Sequence, residues 1–453
     1  MTIESPIAHS RAPLAPTLLR LAGPVAIARL GVMGMGIVDT VVVGQIAPHE
    51  LAFLALGWAP TGVVLVTGMG LLTGVQVLGA RALGERNPRA AGAVWRKGMV
   101  IAAATGAAFA ALLWAFADSG LRVFGIAPEL TIGAAAVTRV LALSLPFHFL
   151  HLACSSFLEA VKRPLAGTIV IWLANALNLA LNLVFVPAHG ASGAAMSTIV
   201  SRAFMFAALL AWIWISAAGR DHGARDKGGA GATYGALFTV GAASAVSQMA
   251  EAGAFNAMSV IAARIGPDAV ATYQILLNIL AVVFMIALGF SAATAVLVSE
   301  AYGAGDVKRA GRAGWTGLAL NSIGMALAGM LLLLLAAPIA HGFTSDEALA
   351  LLVAALVPMC ALIVTPDGGQ VVMAQALRGR GDNWLPTASH VFSYVALMPP
   401  LAFVLGERMG MGVSGLMAAI AVSSFVSVSI LCLRFGVLAR QTPSTQPSSR
   451  STA

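Results

Sequence analysis

Twelve apolar runs, each long enough to cross a bilayer and each poor in charge, govern what this chain can fold into. A spanning helix needs about 20 mainly apolar residues. Runs separated by Gly, Pro or charge fall at 17–46, 51–80, 94–117, 130–158, 164–187 and 190–216. A second set falls at 235–265, 268–299, 312–340, 347–377, 385–405 and 410–438. Lipid offers no hydrogen bonds to a backbone, so each run must satisfy its own amides as a helix. The expected fold is an all-α integral membrane protein with twelve transmembrane helices in two six-helix bundles. Composition agrees, because 59% of the 453 residues are hydrophobic and 10% are charged, against roughly 25% charged in a soluble domain.

The remaining segments are short. Residues 1–16 form a polar amino-terminal tail, and the first apolar run continues too far for a signal-peptide core, so it is read as a retained span. Residues 17–218 make the first lobe and 234–438 the second. Between them, 219–233 contains RDHGARDKGGAGA, an extended polar stretch that reads as an inter-lobe linker. The Ser/Thr/Pro-rich tail at 439–453 has the composition of disorder. Cys154, Cys360 and Cys432 lie singly in apolar runs and suggest no disulfide framework.

Charge gives the orientation. Loops after the even-numbered spans carry Arg81, Arg86, Arg89, Arg96, Lys97, Lys162, Arg163, Arg220, Arg225, Lys227, Lys308, Arg309, Arg312, Arg378 and Arg380. The opposite loops hold little more than Arg122 and Arg408, beside several acids. By the positive-inside rule the even loops and both termini are cytoplasmic. The net charge of +8 is a topology signal, and no nucleic-acid patch is expected.

The two halves repeat. Ile46-Ala-Pro-His-Glu-Leu-Ala matches Ile265-Gly-Pro-Asp-Ala-Val-Ala at an offset of 219. The same offset pairs ARALGERNPRAAG from Ala80 with SEAYGAGDVKRAG from Ser299, and sets Lys162-Arg163 against Gly381-Asp382. Gly190-Ala-Ser-Gly matches Gly412-Val-Ser-Gly at 222. Each half has an even number of spans, so the repeat is parallel, with an axis along the membrane normal and the substrate path between the halves.

Three acids lie inside apolar runs. Asp39 is seven residues from the outer end of its run, about 10 Å at helical rise. Glu251 is fourteen residues from Ile265, and Asp367 eleven from Arg378, so both sit near mid-membrane in the second half. Each acid costs about 2.5–3.5 kcal/mol at the membrane centre, and such residues face cavities and do a job. A carboxylate there can exchange a proton or offer hard oxygen ligands to a small cation. Pro366 frees a carbonyl one turn earlier, and Gly368 and Gly369 loosen the same turn, which makes Glu251 and Asp367 a candidate Na⁺ site. Asn175, Asn178 and Asn182 share one helical face. Such amides either join helices or line a cavity. Tyr273, Gln274 and Asn278 are further candidates for a polar substrate cavity. For Arg29 and Arg202 the reading is boundary snorkelling or a structural ion pair.

The runs IVDTVVVGQIAPHELAFLALG, RIGPDAVATYQILLNI and EAYGAGDVKRA resemble the MATE family of multidrug and toxic compound extrusion transporters, from about Leu14 to Leu438. The resemblance implies a V-shaped pair of bundles, alternating access, and export of organic cations and drug-like compounds against inward Na⁺ or H⁺ flow. Asp39 falls on the family's first-helix acid; Glu251 and Asp367 fall on the seventh- and tenth-helix acids of the NorM-like branch. Asn178 matches a fifth-helix polar position, and Asn182 stands where the DinF-like branch often has Asp. The expectation is then a monomeric antiporter of the bacterial inner membrane with no cofactor beyond the coupling cation. Its partners are small organic cations and the bilayer. The alternative is a flippase for a lipid-linked saccharide, whose cavity would be lined by basic residues. An enzyme is not expected, since H-E-x-x-H, nucleophile-elbow and Walker motifs are absent.

Overall fold

The computed structural model describes residues 13–123, 127–228 and 231–440. The expected tails before residue 13 and after residue 440 lie outside the described residues. Among the described residues, nine helices are long and apolar enough to cross a membrane. Pro128–Leu143 and Leu145–Ala160, bent by 40° at Ser144, make a broken span. The 51-residue helix Leu165–Ile215 is kinked at Gly190 and serves as the fifth and sixth spans. Tyr234–Ile265 is the seventh, carrying Ser244, Ser247, Gln248 and Glu251 along its length. Counted so, there are twelve spans. The first lobe runs Leu14–Ile46, Leu51–Gly84, Pro88–Val123, the broken fourth span, and both arms of Leu165–Ile215. The second runs Tyr234–Ile265, Pro267–Gly303, Val307–Leu334, Glu347–Gly379, Trp384–Arg408 and Gly412–Arg440.

Local chemistry sets several ends. Thr233, Asp306 and Asp346 accept hydrogen bonds from the first-turn amides of the seventh, ninth and tenth spans at 2.8–3.2 Å. Pro128 and Pro267 stand at the first helical position, where a missing N–H costs nothing. The Gly190/Gly412 match has a backbone reason: both residues hold positive φ, +56° and +60°, at the start of the last span of each lobe. Large apolar side chains such as Phe116, Leu334, Leu362 and Leu433 remain exposed, as lipid-facing residues do.

The repeat survives down to single contacts. Thr168 donates to Pro24 O at 2.7 Å and Thr387 to Ala243 O at 2.6 Å, each pair 219 residues from the other. Leu18 and Leu21 of the first span pack into the second lobe's core with Phe290 and Leu297. Their counterparts, Leu237 and Val240 of the seventh span, pack into the first lobe's core with Leu72 and Val75. Each lobe therefore lends the start of its first helix to the other.

Lobe-to-lobe contact is closest at the ends bearing the basic loops. Gly84 lies against Glu300 O, and Gly303, its repeat partner, lies against Arg81 O, so tightly that a Cβ at either glycine would collide with backbone. Gly70 abuts Ala245 and Gly289 abuts Ala22 in the same way. Lys162 Nζ pairs with Glu300 Oε2 at 2.5 Å, and Arg81, the repeat partner of Glu300, donates through Nη2 to Gly379 O at 3.2 Å. At the opposite ends Ile37, Val41 and Val260 are exposed. The close lobe-to-lobe contacts gather on the basic-loop side.

The segment joining the lobes is fastened to the third span. Gly92 N donates to His222 O at 2.9 Å, Lys97 Nζ to Ala232 O at 3.0 Å, and Arg96 to the carbonyls of Gly223 and Gly228.

Candidate functional site

A cavity of about 420 Å³ lies between the lobes, above the contacts that close the basic-loop side. Its first-lobe wall presents Arg29, Gln76 and Glu159; its second-lobe wall presents Glu251, Asp367 and Arg378. Between these charges the lining is apolar and aromatic, with Met69, Phe255 and Phe284.

Glu251 and Asp367 come together as the sequence spacing implies. Gln370, one turn beyond Asp367 on the same helix, donates to Glu251 Oε1 at 3.2 Å. Tyr394 and Ser424 both donate to Asp367 Oδ1, at 3.2 and 3.0 Å. The eleventh span brings Tyr394 there through a wide π-type turn over Val391–Leu397, a local rewinding that turns a side chain off the regular helical face. Carboxylate and hydroxyl oxygens thus converge, oxygen donors of the kind a hard cation takes. Pro366 sits inside an unbroken helix, Glu347–Gly379.

Asp39 is a separate centre. It is fully buried and accepts from Asn182 Nδ2 at 2.7 Å on one oxygen and from Thr198 Oγ1 at 2.7 Å on the other. Asn182 also donates to Asn178 Oδ1 at 3.3 Å. Arg202, donating to Ser144 Oγ at 2.6 Å and stacked 5.4 Å from the Trp58 ring, supplies the nearby positive charge. Asn175 instead ties the fifth span to the first through Gly31 O at 2.9 Å. None of the three asparagines lines the central cavity. Nor do the second-lobe candidates. Tyr273 is buried with its hydroxyl on Phe255 O at 3.2 Å, while Gln274 and Asn278 are exposed, bonded to Ser259 and to Gln274 O.

Two charged residues escape the reading of apolar runs. Glu159 is held by Gln76 at 2.6 Å, Ser155 at 3.2 Å and Arg29 at 3.5 Å, which resolves Arg29 as an ion-pair partner. Arg378 is not a loop residue, as its neighbours Gly379 and Arg380 suggest. It is 2% exposed in the last turn of its helix, donates to Ser247 Oγ at 2.7 Å, and faces the cavity. Both lie at the ends of apolar runs, where charge reads as a boundary. The signal that finds them is the repeat, since 159 and 378 are 219 residues apart.

Two pseudo-symmetric helical lobes around a charged cavity closed at one end define a membrane transporter of the two-lobe, twelve-span class. The MatE family pattern matches residues 24–184 and 243–404, one copy in each lobe, and the chain belongs to the MatE family. It is 40% identical over 429 residues to the probable multidrug resistance protein NorM of Caulobacter vibrioides, covering 93% of this chain and 91% of that one. It is 29% identical over 439 residues to the multidrug resistance protein PmpM of Pseudomonas aeruginosa, covering 94% and 91%. Among solved structures, the outward-facing conformation of a multidrug resistance MATE family transporter of the MOP superfamily matches with a TM-score of 0.87 at 18% identity. It covers 95% of this chain and 98% of that one. The eukaryotic MATE transporter AtDTX14 matches with a TM-score of 0.85 at 19% identity, covering 94% and 97%.

Proposed function

We propose that the chain exports drug-like organic cations from the cytoplasm by alternating access, in exchange for inward Na⁺ or H⁺. The observation that carries this reading is the pair Glu251 and Asp367 on the wall of a cavity between two lobes whose lining is mainly apolar. An aromatic and methionine lining suits flat, varied apolar cations, and two carboxylates supply the charge that holds them. The relatives named as multidrug resistance proteins support the same substrate class. With the basic loops in the cytoplasm, the structure is the outward-facing state, since its lobes meet on that side. Asp39, buried among Asn178, Asn182 and Thr198, is a third carboxylate for coupling, in the first lobe. An anionic lipid-linked saccharide suits the site less, because acids outnumber bases on the second-lobe wall.

The test is ethidium efflux from vesicles holding the purified chain under an imposed Na⁺ or H⁺ gradient. Wild type is expected to extrude ethidium under at least one gradient, and D39N and E251Q to lose most of that activity. Normal transport by both variants would sink the carboxylate mechanism.

A further inference from the structure

The cavity wall carries an odd number of fixed charges. Arg29 and Glu159 face each other at 3.5 Å and cancel. Glu251 and Asp367 contribute two negative charges and Arg378 one positive. His390, whose two ring nitrogens have no partner among the described residues, and Tyr394 are the other titratable groups in contact with this wall. Neither type is a full charge at neutral pH by its ordinary titration range. With both carboxylates ionised, the site is short of neutrality by one positive charge.

Arg378 is placed to hold that balance. It bonds to Ser247, one helical turn from Glu251 on the same face of the seventh span, and the charges of Arg378 and Glu251 bear on each other. Its Nε has no partner, so the guanidinium is not locked into a saturated structural network. The repeat sharpens the point. At one position of the two lobes stand Glu159 and Arg378, so the same place in the fold subtracts a charge on one wall and adds one on the other.

We propose that Arg378 sets the charge capacity of the cavity at one, so that it admits ligands bearing a single positive charge and discriminates against dications. This deepens the reading of the cavity as an organic-cation site and rests on it. A monocation brings the desolvated wall to neutrality; a dication overshoots it and leaves an uncompensated charge in a low-dielectric space.

Ethidium and propidium test this directly, because they share a phenanthridinium ring and differ by one charge. Equilibrium binding of both dyes to the purified full chain gives a propidium-to-ethidium affinity ratio. Wild type is expected to prefer ethidium. R378Q should move the ratio toward propidium by about tenfold or more, while R378K retains the wild-type preference. E159Q, which leaves Arg29 uncompensated, should move it the other way. An unchanged ratio in an R378Q variant that still binds ethidium overturns the inference alone. Should R378Q not survive purification, E159Q carries the test, and a ratio that does not shift against propidium overturns it. Binding of neither dye by wild type overturns the cation-site reading and this inference with it.

Discussion

A buried carboxylate persists only where donors meet it, and Asp39 is met on both oxygens by Asn182 and Thr198, from the fifth and sixth spans. Hydrogen bonds to a charged group are worth about 1.5–3 kcal/mol each. T198V keeps the shape and deletes one donor, so it should lower the thermal unfolding midpoint in detergent by several degrees. In a D39N background the same change should cost clearly less, and equal losses in both backgrounds would exclude the contact as the cause. At this scale the sequence makes Asp39, Glu251 and Asp367 visible because nothing charged surrounds them. It hides Glu159, which stands three residues before Lys162, and Arg378, which stands two before Arg380. A charge at the end of an apolar run reads as the start of a loop, and only packing reveals that the helix continues past it into a partner.

Among the elements, the junction of the fifth and sixth spans shows how one residue shapes a helix pair. The apolar pattern places a break at 187–190, whereas the two arms join without a loop, turning at Gly190 with φ +56°. Glu50 fills the space over that glycine and accepts from Ala191 N at 2.7 Å, capping the sixth span from another element. G190A should therefore destabilise the protein twice over, through strain at positive φ and through collision with the Glu50 carboxylate, by more than about 1 kcal/mol. The check is its unfolding midpoint compared with G36A, whose Cβ would meet open space. A loss no greater than that of G36A would show that the junction tolerates a side chain. Span number and order were readable because apolar length is a strong signal. The bend at Ser144, just before Pro146, and the π-type turns flanking Pro399 and Pro400 were not, because a proline removes a backbone donor without fixing how the helix around it is rewound.

For the molecule as a whole, closure on the basic-loop side rests on two kinds of contact. Glycine-on-backbone approaches set how near the lobes can come, and the Lys162–Glu300 pair with Arg81 on Gly379 O adds polar fastening. Lys162 adopts positive φ, +59°, where its repeat partner Gly381 holds +92°. A lysine held in a glycine's conformation marks a site where the side chain matters. A half-exposed ion pair is worth about 0–1 kcal/mol, so E300Q should shift the balance of open and closed lobes by up to a few fold. Spin labels at Glu85 and Lys308 would read this as a longer-distance population on the basic-loop side. A distance distribution identical to wild type would mean that the glycine contacts alone hold the closure.

The fastening of 222–228 and of Ala232 along the third span bears on how copies of this chain assemble. A duplicated protein joined by a slack tether invites exchange, one molecule's second half docking on another's first. Here the tether ends at Ala232, held by Lys97, and Thr233 already caps the seventh span. Among the described residues of this segment, His222, Gly223, Gly228 and Ala232 are each held to the third span. These contacts favour pairing of each first lobe with the second lobe of its own polypeptide over exchange between the matching halves of two copies.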